Sequence, residues 1–149
     1  MKARGFTLIE LLVTLAVMVI LATVAVPGFQ RMMATNRVVA DYNEVLTGLN
    51  FARSEAVKRR APVEFVTSVN GDVWQYVVSV DGEELRVRRG RDSRVSLTAG
   101  NVEFNALGRR QSCTPSDCTF TVASTFSGIE DRSAAVSVMG RVGRAVDEE

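Results

Sequence analysis

Three rhythms of apolar and polar residues divide the chain. From Phe6 to Phe29 apolar side chains follow one another almost without interruption, and the 20 residues from Leu11 to Gln30 carry no charge. Coiled as a helix, such a run is ~30 Å long, the thickness of a bilayer's hydrocarbon core. From Val38 onward the spacing changes. Val38, Tyr42, Val45, Leu49, Ala52 and Ala56 recur every three or four residues and form one stripe along a helix. Arg37, Asp41, Glu44, Arg53 and Lys58 fall mostly off that stripe. Pro62 ends the helical pattern, and Arg59-Arg60 suit the negative end of a helix dipole.

Beyond Pro62 the period shortens to two. Val63–Thr67 and Val73–Val78 are rich in β-branched and aromatic residues, with Asn70-Gly71 between them as a hairpin signal. Asp81-Gly82 marks a second turn before a strand at Glu84–Arg89, and further short strands are expected at 94–98, 101–105, 118–124 and 134–139. The pattern predicts an α+β architecture. A membrane segment at 6–28 is followed by an amphipathic helix at 29–61 and a β-rich head at 62–149, one helix lying on antiparallel sheet. Pro27-Gly28 should kink or locally melt the helix, since proline removes an N–H and crowds the preceding turn. The pattern shows no long linker, low-complexity tract or internal repeat.

Length and composition narrow the function. With 149 residues, 46% of them apolar and 23% charged, the chain is sized for one domain with a real core. Its formal net charge of +1 points to no partner, so a basic site has to be local. The absence of histidine removes Ser-His-Asp and Cys-His catalysis and histidine-ligated metals. Two cysteines are too few for a closed thiolate zinc site. No phosphate-binding glycine loop appears, and Asp81-Gly82-Glu83-Glu84 lacks the spacing of a calcium loop. The expectation is a protein that is not an enzyme and has no metal or cofactor.

At the N-terminus, Lys2 and Arg4 precede the apolar run and favour the cytoplasmic side. Three readings compete: a cleaved secretory signal with Thr23 and Ala25 before the cut, a plain single-span anchor, and a processed anchor. The first two leave Glu10 unexplained, a carboxylate inside a membrane-bound segment. The segment Gly5-Phe6-Thr7-Leu8-Ile9-Glu10, with its short basic leader at 1–5, resembles the type III signal of type IV pilins and type II secretion pseudopilins. That resemblance implies cleavage by a prepilin peptidase between Gly5 and Phe6 and N-methylation of Phe6. It also implies an assembly role for Glu10, which would pair with the Phe6 amine of a neighbouring subunit. A misaligned neighbour would bury an uncompensated charge, so the pair sets register. Localisation follows: a single pass through the bacterial inner membrane with a periplasmic head, extracellular once in a pilus.

Later segments sharpen the resemblance. Leu46–Phe65, Val102–Gly108 and Val136–Arg144 are similar to the GspH/FimT family of minor pilins and pseudopilins. Family members of the FimT type are associated with natural transformation, capturing DNA through an arginine-containing C-terminal motif. The matching positions are Gly140, Arg141 and Arg144, although Gly143 displaces the second arginine. Asp147, Glu148 and Glu149 follow at once and oppose a phosphate backbone unless they point away.

The residues themselves supply a second reason. The chain has 16 arginines and two lysines, and between Arg86 and Arg110 seven arginines stand against two carboxylates. Ordinary solvated faces and base composition are one explanation. The other is a surface of guanidinium forks for phosphate, with Arg88, Arg89, Arg91, Arg109 and Arg110 in support. The partners expected are other pilin subunits, the peptidase, the membrane and double-stranded DNA bound without sequence specificity. The alternative function is a minor pseudopilin of a type II secretion system, acting in tip assembly by protein contacts alone. Cys113 and Cys118 are read as a structural disulfide of an exported protein, since the spacing is not C-x-x-C.

Overall fold

The computed structural model describes residues 7–145. The expected cleavage and methylation positions, Gly5 and Phe6, and residues 147–149 lie outside the described residues. One helix, α1 (Leu8–Arg59), runs for 52 residues. Thr7 caps it, its hydroxyl accepting from the Glu10 N–H at 3.3 Å. The expected local melting at Pro27-Gly28 does not occur, because α1 continues through both residues. Proline forfeits a single main-chain bond there, and the turns on either side keep theirs. At the other end Arg60 takes a left-handed φ of 54°, and the Ala61 N–H reaches back to the Ala56 carbonyl at 3.3 Å. This is a Schellman closure, so the helix stops before Pro62 is reached.

The chain divides into two compact units, one ending at Met33 and one beginning at Ala34. In the first, every described residue is exposed, including Leu11, Leu15, Ile20 and Val24. This stretch is long and apolar enough to cross a membrane. In the second, the predicted stripe is buried in full: Val38, Tyr42, Val45, Leu49, Ala52 and Ala56 all face protein.

Nine strands follow in the second unit: β1 (Val63–Asn70), β2 (Val73–Val80), β3 (Glu83–Arg89), β4 (Val95–Leu97), β5 (Gly100–Phe104), β6 (Arg110–Thr114), β7 (Thr119–Ser124), β8 (Arg132–Val136) and β9 (Val142–Arg144). They form two antiparallel sheets, in keeping with the expected helix packed on antiparallel sheet. One has the order β3-β2-β1-β5-β6, the other β4-β7-β8-β9. Strands β1 to β5, β7 and β8 lie close to those predicted. β6 and β9 are new: Arg110-Gln111-Ser112 and Val142-Gly143-Arg144 have no apolar alternation to announce them, because both strands lie at sheet edges.

Inward residues of both sheets meet the helical stripe in one core. Phe65 stands at its centre, 4.9 Å from the Tyr76 ring and 5.6 Å edge-on from Phe120, which joins the two sheets. Polar ends of the large aromatics reach back to α1. The Trp74 indole N–H donates to Asp41 at 2.9 Å and the Tyr76 hydroxyl to Glu44 at 2.7 Å. Burial, followed by the Glu44 bond, holds the Tyr76 hydroxyl far above its ordinary pKa, so it remains a donor.

Candidate functional site

The arginines divide according to what surrounds them. Along β3 and the loop after it, most are engaged. Arg86 lies over the Phe51 ring at 4.0 Å, Arg88 pairs with Glu44 at 3.4 Å, and Arg89 donates to Gln75 at 2.9 Å. Arg94 holds Asp92 with two bonds of 3.1 Å, and Arg37 of α1 pairs with the same carboxylate. The Arg94 bonds pull the Asp92 pKa below its ordinary value. Nearby, burial raises that of Asp41, against the opposing effect of the Trp74 bond. Arg91 is exposed and lines a shallow cavity with Arg37 and Asp41.

A second group sits on two hairpin turns. The β5–β6 turn reads Asn105-Ala106-Leu107-Gly108-Arg109, and the β8–β9 turn reads Ser137-Val138-Met139-Gly140-Arg141. Three of their hydrogen bonds correspond, and the first turn adds Leu107 N–H to Asn105 Oδ1 at 3.0 Å. In the first, Gly108 N–H donates to the Asn105 carbonyl at 2.8 Å and Asn105 N–H to the Arg109 carbonyl at 2.9 Å. In the second, Gly140 N–H donates to the Ser137 carbonyl at 2.8 Å and Ser137 N–H to the Arg141 carbonyl at 3.0 Å. The side chain at the first position accepts from the last N–H in each: Arg109 N–H to Asn105 Oδ1 and Arg141 N–H to Ser137 Oγ, both at 3.1 Å. The chain therefore uses the same five-residue turn twice. The unit is too short to register as sequence periodicity.

The two turns pack against each other through their glycines. Gly108 and Gly140 have φ of 71° and 77°, the left-handed region that glycine enters without strain. A Cβ on Gly140 would overlap the Gly108 carbonyl oxygen and lie 2.9 Å from its carbon and 3.1 Å from the Arg109 Cα. The Arg53 guanidinium of α1 donates to that same Gly108 carbonyl at 3.1 Å. Two further ties fix the β6 edge to the other sheet. Arg110 donates to the Val136 carbonyl at 3.0 Å, and Cys113 of β6 is bonded to Cys118, the buried residue before β7. The expected disulfide thus joins two sheets.

This arrangement sorts the sequence-predicted positions. Gly140 is a packing residue. Arg110 is spent on a main-chain carbonyl and Arg88 on a carboxylate. Arg109 and Arg141 are exposed and carried side by side, and Arg144 is exposed three residues further along β9. Among the described residues none of these three guanidinium groups has a carboxylate partner. Apart from them, Glu10 lies exposed in the first turn of α1.

A membrane-length N-terminal helix whose second half packs on antiparallel sheet defines the pilin architecture. Two crystal structures of the Pseudomonas aeruginosa type IV minor pilin FimU share it. One matches with a TM-score of 0.61 at 21% identity, over 74% of this chain and 90% of that one. The other matches with a TM-score of 0.57 at 20% identity, over 72% and 91%. Residues 41–140 match the family described as type II transport protein GspH, and residues 1–26 match the prokaryotic N-terminal methylation motif. A Pseudomonas aeruginosa fimbrial protein is 31% identical over 134 residues, covering 87% of this chain and 84% of its own length. The chain belongs to the GspH family of pilin-like proteins.

Proposed function

We propose that this chain is a minor subunit of a type IV pilus that binds the backbone of double-stranded DNA for uptake. One observation carries the reading: among the described residues Arg109, Arg141 and Arg144 are exposed and lack carboxylate partners, while most other arginines of the head are engaged. Guanidinium forks in that state suit phosphate. Glu10 sets register by pairing with the Phe6 amine of the adjacent subunit after cleavage at Gly5, and the role is structural rather than catalytic. A few phosphate contacts per subunit bind weakly, and several subunits on one fibre raise the affinity by avidity.

The full chain in nanodiscs of neutral lipid should bind duplex DNA at low salt, and an R109Q/R141Q/R144Q variant should lose that binding. Retention of wild-type affinity by the variant places the site elsewhere. The family's description as a type II transport protein favours a second reading, a pseudopilus subunit working through protein contacts. Absence of DNA binding by the native chain at low salt selects it.

A further inference from the structure

The paired turns expose apolar side chains at their tips. Leu107 is 73% exposed, Val138 61% and Met139 64%. Leu107 and Met139 occupy the same position in the two repeated turns, each two residues before an arginine. Because Gly140 packs on Gly108, the two tips belong to one projection with Arg109 and Arg141 at its base. Neither turn contains an acidic residue. Phosphate binding alone does not require large apolar groups at the outermost points of a basic surface, and exposing them to water is unfavourable.

Resting on the DNA-binding reading above, we infer that the Leu107 and Met139 tips enter the major groove of the duplex and contact thymine methyl groups while Arg109 and Arg141 hold the flanking phosphates. Two features of the geometry favour that groove. Each turn joins two antiparallel strands at the edge of its sheet, and a tip of this kind has room in the major groove, ~12 Å wide, whereas the minor groove is only ~6 Å wide. The thymine 5-methyl is also the apolar group that base edges present, and it lies in the major groove. The site then has a division of labour. The arginines give salt-sensitive affinity, and the tips add a salt-insensitive preference for thymine over an otherwise unselective backbone grip.

The test uses the full chain in neutral nanodiscs and a fluorescent, thymine-rich duplex, compared with the same duplex carrying uracil in place of thymine. Two fully buried methyl contacts set a ceiling of roughly fifteenfold, and with each contact only partly shielded from water about fivefold tighter binding to the thymine duplex is expected. An L107S/M139S variant should bind both duplexes equally at the weaker level, with an unchanged salt dependence. Both side chains are exposed, so its unfolding midpoint should match the wild type. Equal binding of the wild-type chain to both duplexes overturns the inference and leaves the arginine site standing. Failure to bind either duplex at low salt overturns the DNA-binding reading itself, and the inference with it. A variant that binds DNA like the wild type but no longer enters pili also overturns the inference, and assigns the tips to a neighbouring subunit.

Discussion

The stretch at 86–94 carries five arginines and one carboxylate, and the paired turns at 105–109 and 137–141 carry only two arginines, yet the turns leave both of theirs without a carboxylate partner among the described residues. In the first region guanidinium groups are taken up by Phe51, Glu44, Gln75 and Asp92. In the second, Arg109 and Arg141 have no carboxylate partner among the described residues. A count of basic residues measures what a segment carries. What a surface can offer to an anion is the remainder after internal pairing.

The comparison breaks most severely at the glycine contact. Gly140→Ala places a methyl group against the Gly108 carbonyl at a φ of 77°, so neither turn can keep its place. A loss of about 3 kcal/mol is expected in urea unfolding. Gly143→Ala, with open space around it and an ordinary φ, should change stability by less than about 0.5 kcal/mol. Removing the disulfide with C113S/C118S loosens the β6 edge that supports the first turn. Closing so short a loop is worth about 2 kcal/mol in the chain-entropy model, and the melting temperature should fall accordingly without loss of the fold.

The smallest effect converts engaged arginines into available ones. Asp92→Asn releases Arg37 and Arg94 and should cost under about 1 kcal/mol at neutral pH, since both guanidinium partners are exposed and screened by solvent. The Asp92 pKa is lowered in the folded state, so its stabilisation is complete above the ordinary carboxylate range. It is lost as pH falls through that lowered pKa. The difference between wild type and variant should therefore close in strong acid. A difference that persists there indicates a packing role for Asp92.

Much of this was legible in the sequence for identifiable reasons. The apolar run at 11–30 is long and uncharged, and the Val38–Ala56 stripe is periodic because one face of the helix is buried. Strands β1, β2, β5 and β7 alternate because one face of each is buried. β6 and β9 were hidden because edge strands need no such alternation. The second sheet was hidden because Phe65 and Phe120 meet across a distance in sequence that no local pattern encodes. Gly140 and Arg141 were visible as a motif, but their relation to Gly108 and Arg109 was not. The signal was present as polar, variable, apolar, glycine, arginine, twice over. Only the contact between the two copies gives it meaning. Arg110 and Arg88 looked equivalent to Arg109 because pairing with Val136 and Glu44 depends on tertiary neighbours.

Salt dependence of the proposed DNA binding tests the central contrast most directly. R109Q/R141Q/R144Q and R88Q/R89Q/R91Q remove the same formal charge from the two regions. Each lost phosphate contact reduces the slope of log K against log salt by about 0.9. The first variant should flatten the slope by about 2.7 and the second by less than about 1. An equal flattening in both, or a larger one in the second, would mean that the engaged arginines are the ones that meet DNA.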